Sequence, residues 1–328
     1  MTGSPWMPLM AFALTLVALH FLLGRGWAGH LAIDTPNLRS LHASPTPRIG
    51  GVIMVPVALA SSIPFSQSPG LLLVLAAALC AISFFDDRWG LPIALRLVSH
   101  IAAAAMLCHS LLPSPVSWGF GLAVLVLVWA INLFNFMDGS DGLAGGMALA
   151  GFAVFGAALL DTMPELAHLA LCIAAAAAGF LVLNFSPARV FMGDAGSVPL
   201  GFLAGGVGLA GWLHGVWPAW FPLLVFSPFV VDASVTLMRR IVRGERFWHP
   251  HRDHYYQRLV RMGWSHRRVA LAEYGMMAGC GLSALALLRG SPVIQAAGVA
   301  AWAVIYVGAM LVIDRSWASC DECRGDRA

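Results

Sequence analysis

The chain has 328 residues, 59% of them apolar and only 11% charged, with a formal net charge of +3. Soluble domains carry roughly 25% charged residues. This chain therefore has too little polar surface to cover a water-facing globule; its solvent is a bilayer, and no nucleic-acid partner is expected.

A spanning helix needs about 20 largely apolar residues. Candidate segments, in chain order, lie near 7–27, 50–66, 70–85, 93–111, 117–134, 142–160, 166–184, 198–215, 217–238, 271–288 and 293–313. Several are short or share edges with a neighbour, so one can be re-entrant, and 10–11 transmembrane helices are expected. The first segment has no basic lead-in and no clear small-residue cleavage site, so it is expected to stay as a span. The fold expectation is an all-α polytopic bundle, one integral membrane domain over 1–328, with an active-site cleft facing the cytoplasm.

Arginine placement orients that bundle. Arg39 and Arg48 follow the first segment, nine arginines run from Arg239 to Arg268, and Arg315, Arg324 and Arg327 lie in the tail. With eleven spans all of these share one side, expected to be cytoplasmic. Segment 239–270 is then a cytoplasmic loop and 314–328 a cytoplasmic tail, while the opposite connections hold Asp161, Glu165 and Arg289. Cys80, Cys108, Cys172 and Cys280 fall inside apolar runs and read as small buried hydrophobes. Cys320 and Cys323 lack the second ligand pair of a zinc site.

The acids gather at the same interface. A conduit through the bilayer predicts ionisable groups at the midplane and often a repeated half; neither is seen, which favours a site for a water-soluble substrate. Asp34 opens a rigid basic stretch that ends in Pro47-Arg48-Ile49-Gly50-Gly51. Asp86 and Asp87 form an adjacent pair that needs a cation beside it, either a metal or Arg88, although a solvated turn of two aspartates is common. Asn132, Asn135, Asp138 and Asp141 recur every three residues and make a drifting polar stripe. Gly139 and Gly142 would let backbone N–H groups approach a ligand. After Asn184, Asp194 sits between Gly193 and Gly196 at the start of a span and suits a hard cation such as Mg²⁺, which takes one or two carboxylates and fills its shell with water and phosphate. His251, Arg252, His254 and Arg258 lie in the long loop. Their spacing with an internal proline is not a helical zinc set, and the arginines suit phosphate contact.

These motifs resemble the polyprenyl-phosphate N-acetylhexosamine-1-phosphate transferases, glycosyltransferase family 4, a superfamily that includes the phospho-MurNAc-pentapeptide transferase. The matching pieces are D-x-P-N-x-R-S-x-H at 34–42, P-R-x-G-G at 47–51, F-D-D at 85–87, N-x-x-N-x-x-D-G-x-D-G-L-A-x-G at 132–146 and F-M-G-D-x-G-S at 191–197. The resemblance implies transfer of a sugar-1-phosphate from a UDP-N-acetylhexosamine to undecaprenyl phosphate at a bacterial inner membrane, on the cytoplasmic face, with release of UMP. It implies Mg²⁺, with Mn²⁺ as a substitute, on Asp194 and Asp138. It gives Asp86, Asp87, Asp138 and Asp141 catalytic roles, and substrate contacts to Arg48, Asn132, Asn135, Asn184, His251, Arg252 and His254; a homodimer is a compatible assembly. The loop departs from the common D-R-x-H-x-H-H: His251 stands for the aspartate, and Tyr256 and Gln257 for two histidines. That version resembles the branch that starts O-antigen or similar polysaccharides and uses N-acetylated 6-deoxyhexosamines. A GlcNAc-1-phosphate transferase is the alternative, and a transporter for a nucleotide sugar or a lipid-linked sugar a more distant one.

Overall fold

The computed structural model describes residues 6–35, 44–63, 70–112, 118–245 and 251–320. Most of the D-x-P-N-x-R-S-x-H stretch, His249 and Cys323 lie outside them.

The elements run in order α1 (Trp6–Gly24), α2 (Ala28–Leu31), β1 (Ile33–Asp34), β2 (Thr46–Pro47), α3 (Gly50–Ser62), α4 (Leu71–Trp89), α5 (Ile93–Leu111) and α6 (Trp118–Phe136). They continue with α7 (Leu143–Leu159), α8 (Pro164–Asn184), α9 (Asp194–Leu213), α10 (Trp220–Val225), α11 (Ser227–Val242), α12 (Tyr255–Arg261), α13 (His266–Leu287) and α14 (Pro292–Ala318). Seven described helices, α1, α5, α6, α8, α9, α13 and α14, are long and apolar enough to cross a membrane, so the chain is an all-α, multi-pass membrane protein. α4 is as long as α5 but ends in Asp86, Asp87 and Arg88, while α3 and α7 are shorter apolar helices. The apolar stretch 217–238, expected as one span, is instead broken between α10 and α11. Pro228 has no N–H to continue the ladder, and the Ser227 hydroxyl donates to the Leu224 carbonyl at 2.7 Å in its place.

α8 and α9 are the most buried of the long helices. α8 packs against α7, α1 and α3, and α9 against α6 and α4. Without a hydrophobic drive between helices in lipid, close backbone approach needs small residues. A Cβ on Gly179 of α8 would lie 2.5 Å from the Phe12 carbonyl of α1. One on Gly201 of α9 would lie 2.5 Å from the Ala130 carbonyl of α6. The four cysteines of the apolar runs are buried thiols. α14 stands apart: its most apolar stretch is unburied, and it packs mainly on α12 and α13, with side-chain hydrogen bonds to α10 and α11.

Because successive long helices run antiparallel, the motif-bearing connections meet at one end of the bundle. The start of α3, the end of α4, the α6–α7 connection, the α8–α9 connection and the start of α13 are joined there by hydrogen bonds.

Candidate active site

The site is built on a backbone splice. Ile33 and Asp34 pair with Pro47 and Thr46 in a short antiparallel ladder. Phe191 N–H donates to the Pro47 carbonyl (2.8 Å), and Gly50 and Gly51 N–H donate to the carbonyls of Phe191 (2.9 Å) and Met192 (2.8 Å). A Cβ on Gly51 would lie 2.1 Å from the Gly196 nitrogen, which is the physical reason for glycines in both motifs. The splice brings Asp34 and Arg48 beside Asp194.

Asp87 closes the other side. Its side chain is only 1% exposed, and its two oxygens accept the N–H groups of Asp194 (3.2 Å) and Ala195 (3.0 Å). A carboxylate of α4 thus satisfies free donors at the start of α9, where a negative charge is also favoured by the helix dipole. Gly193, at φ +72°, lets the chain turn under that carboxylate; a Cβ there would meet it at 2.7 Å. Asp86 accepts Leu91 N–H (2.6 Å) and pairs with Arg96 (3.0 Å), whose other near neighbour is Asp194 (3.7 Å). Arg48 pairs with Asp34 (2.8 Å) and lies 3.9 Å from Asp87. Among the described residues, the cations paired with Asp86 and Asp87 are therefore Arg96 and Arg48. Burial opposes the charge on Arg48, but Asp34, Asp87 and Asp194 outweigh it and raise its pKa.

Between these groups lies a cavity of about 210 Å³ lined by Asp34, Arg48, Asn135, Asp138, Asp141 and Asp194, among others. Burial, then the neighbouring Asp194 carboxylate, push the Asp138 carboxyl well above its usual range. Asn135 hydrogen-bonds Asp194. Asp141 also accepts Ala188 N–H (3.1 Å). Asn184 lines the same cavity, yet its amide is spent on the fold: it accepts Gly142 N–H (3.0 Å) and donates to the Val190 carbonyl (2.8 Å).

Some expected contacts are redirected. The Gly142 N–H is committed to Asn184 rather than open to a ligand; its glycine is required by φ +75° at the head of α7. The Asn132 amide donates back to the Val128 carbonyl of its own helix (2.7 Å), and Asn132 does not line the cavity. Arg258 is buried, pairs with Asp314 (3.0 Å) and lies over the Tyr255 and Trp317 rings, so it braces α12 rather than meeting phosphate. His251, Arg252 and His254 do not line this cavity; they stand beside it, with the His254 ring 6.3 Å from Phe136 and the Tyr256 hydroxyl donating to the Phe136 carbonyl (3.2 Å). Burial, then His254 and Arg240, hold the His251 pKa down at about 4. The two residues that depart from the common loop pattern have fold-building partners: Tyr256 on Phe136, and Gln257 accepting the His254 N–H at 3.3 Å.

Sequence reasoning missed Arg96, Ser140, His266 and Asp232. His266 lines the cavity with its Nδ1 2.8 Å from the Ser140 hydroxyl. None of the four lies inside a recognisable motif except Ser140, and only its place between Asp138 and Asp141 hinted at it.

The donor chemistry suits a hard cation. Four aspartates and one arginine line the cavity, so carboxylate charge is in excess. Among the described residues no three His, Cys, Asp or Glu side chains converge as a complete metal cage. They form no closed structural zinc site; Mg²⁺ asks less of a protein, one or two carboxylates with water and substrate phosphate filling its shell, and Asp194 and Asp138 are the carboxylates that would hold it.

A multi-pass helical bundle with an aspartate-rich cavity at one end is the architecture of a membrane-embedded site for a polar substrate, and the comparisons give its class. Residues 70–211 match glycosyl transferase family 4. The chain is 32% identical to the decaprenyl-phosphate N-acetylglucosaminephosphotransferase of Mycolicibacterium smegmatis, across 83% of this chain and 80% of that one. It is 31% identical to the phospho-N-acetylmuramoyl-pentapeptide-transferase of Thermosynechococcus vestitus (85% and 82%). It is 28% identical to a probable undecaprenyl-phosphate N-acetylglucosaminyl 1-phosphate transferase of Bacillus subtilis (74% of each). The chain belongs to this family, the polyprenyl-phosphate N-acetylhexosamine-1-phosphate transferases.

Proposed function

We propose that this protein transfers an N-acetylhexosamine-1-phosphate from its UDP-sugar to a polyprenyl phosphate, undecaprenyl phosphate in a bacterial inner membrane, on the cytoplasmic side. The observation that carries the reading is the excess of carboxylates in the cavity beside Arg48. Such a cavity repels a bare diphosphate and accepts one that arrives with a divalent cation. Mg²⁺ bound by Asp194 and Asp138 would supply charge neutralisation of the donor diphosphate and of the departing UMP.

In the reaction an oxygen of the lipid phosphate attacks the sugar-bearing phosphorus. The bond from that phosphorus to the bridging oxygen breaks, and UMP leaves with the electron pair. Positioning and electrostatics supply most of such catalysis. The lipid phosphate has its second pKa near about 6 and is mostly dianionic at neutral pH, so little proton remains for a base to remove. Asp87, with both oxygens holding the start of α9, and Asp86, held by Leu91 and Arg96, are better suited to fixing the geometry around Asp194. Asn135 orients Asp194, and Asp141 steadies the 187–190 turn. Arg48, His251, Arg252 and His254 supply polar and cationic contacts to the donor.

The arginine-rich connections at the site end favour the cytoplasmic orientation. The loop that reads His251 to Gln257 favours an N-acetylated 6-deoxyhexosamine and the start of O-antigen or a similar polysaccharide. Two findings support UDP-GlcNAc equally: the names of the relatives, and the fold-building partners of Tyr256 and Gln257. UMP release from a panel of UDP-sugars decides between the donors, with and without polyprenyl phosphate and Mg²⁺. Release that requires lipid, metal and Asp194 is the expected result. Release without lipid, or none with any donor from folded protein, overturns the reading.

A further inference from the structure

The loop segment that begins at His251 is far from the aspartate motifs in sequence, and something must hold it against them. The holder is a residue outside every motif. Asp232 sits on α11, with its side chain 7% exposed. Its Oδ1 accepts Tyr255 N–H (2.9 Å) and the Thr236 hydroxyl (3.1 Å) and lies 3.2 Å from His254 Nδ1; its Oδ2 accepts Tyr256 N–H (3.1 Å). One carboxylate thus receives four donors, two of them the first N–H groups of α12.

An ionised carboxylate only accepts hydrogen bonds. In the Asp232 contact the donor is therefore His254 Nδ1, and the His254 side chain also accepts the Gln257 N–H in a capping box at the head of α12. The ring plane is fixed as well: it stacks on Tyr256 at 5.9 Å and lies 5.0 Å from the His251 ring. Tyr256 in turn reaches the Phe136 carbonyl, two residues before Asp138. A chain of contacts thus runs from Asp232 through His254 and Tyr256 to the connection that carries Asp138 and Asp141.

We propose that Asp232 is a positioning residue for the transfer reaction: it fixes the orientation of the His254 ring beside Phe136 and Tyr256, so that the ring is held ready for contact with the sugar-nucleotide donor. This rests on the reading of His254 as a donor contact. The purely structural alternative is that Asp232 only caps α12. In that case its loss acts through folding, and its effect on turnover is independent of His254.

A double-mutant cycle separates the two. The kinetics of UMP release are measured with the best donor of the panel for Asp232→Asn, His254→Gln and the double variant, with thermal unfolding of each in detergent. Each single variant is expected to lose about 10- to 100-fold in kcat/KM, the scale for losing the orienting partner of a functional histidine. The double variant is expected to fall within about 3-fold of His254→Gln alone, because neighbours acting as one unit are non-additive. Losses that multiply in the double variant overturn the positioning role and leave Asp232 as a cap. His254→Gln with unchanged kinetics overturns the donor-contact reading itself. If Asp232→Asn does not fold, the cycle is run with Asp232→Glu, which keeps the charge and displaces it by one methylene; the same two outcomes decide.

Discussion

Two carboxylates do the same local job in different surroundings. Asp87 on α4 receives the first N–H groups of α9, and Asp232 on α11 receives the first N–H groups of α12. Asp232 has hydroxyl, amide and imidazole donors around it, and the carboxyl nearest it is Glu273 of α13, which makes no hydrogen bond to it. Asp87 has Asp86 as its neighbour in the chain and Asp194 at the helix it caps, and it relies on Arg48 at 3.9 Å. Around Asp232 the charge is answered by the protein. Around Asp87 it is not, and on the proposed function a cation and substrate complete the aspartate cavity. Capping by carboxylate thus occurs in both places, and it is the unanswered charge that sets the aspartate cavity apart.

The largest expected effect tests that unanswered charge. Asp194→Asn should lower UMP release by at least about 10²-fold, the scale for removing one preorganised charged group from a phosphoryl-transfer site, with little change in unfolding temperature. Activity within a few-fold of the wild type would move the metal reading away from Asp194. Next comes Asp87. Asp87→Ala should cost about 2 kcal/mol of stability, the sum of a lost cap and buried unpaired N–H groups, while Asp87→Asn, which keeps one acceptor, should cost less. Stability and UMP release measured side by side on both variants sharpen the comparison. If activity follows stability, Asp87 is scaffold; if Asp87→Asn is stable but inactive, it has a chemical role as well.

A smaller effect concerns the far edge. Asp314 of α14 holds Arg239 through two bonds (2.8 and 2.6 Å), Arg258 (3.0 Å) and the Tyr255 hydroxyl (3.3 Å). These bonds are the polar link between α14 and α12, so Asp314→Ala should loosen the two at about 1 kcal/mol, given the partial exposure of the pairs. Faster hydrogen exchange in α12 and α14, with α8 and α9 unchanged, is the expected result; uniform change would mean that α14 is not a separately held element. The smallest effect is a pH dependence. The folded His251 pKa of about 4 lies below the ordinary 6.5, so the unfolded chain binds the proton more readily. The stabilising contribution is present above about pH 6.5 and declines as pH falls towards 4. Linkage sets it at about 1 kcal/mol between about pH 6.5 and 5.5. Unfolding of His251→Gln should be less sensitive to pH in that window than unfolding of the wild type.

Much of the fold was legible because bilayer residence is a matter of composition and length. An apolar run of about 20 residues must be helical to satisfy its backbone in lipid, whatever its neighbours do. The break between α10 and α11 was not read, although Pro228 signals it, because the apolar run continues unbroken through the proline. Asp138, Asp141 and Asp194 were legible because glycines and asparagines surround them at tight spacing. Asn132 was misjudged because spacing gives a face and not a hydrogen-bond partner, and its amide closes on Val128. Arg258 was misjudged because an arginine reads as a phosphate ligand until the Asp314 carboxylate and two aromatic rings are seen beside it.

The sequence by itself determined a membrane-embedded helical chain, the family, and the aspartates that converge, since hydropathy and short motifs are local properties. Only the tertiary structure decided which carboxylates are spent on N–H groups and which are left facing the cavity. It also decided that Arg96 and His266 join the site and that Asp232 holds His254. Those assignments depend on distances between helices far apart in the chain, and no local pattern encodes them.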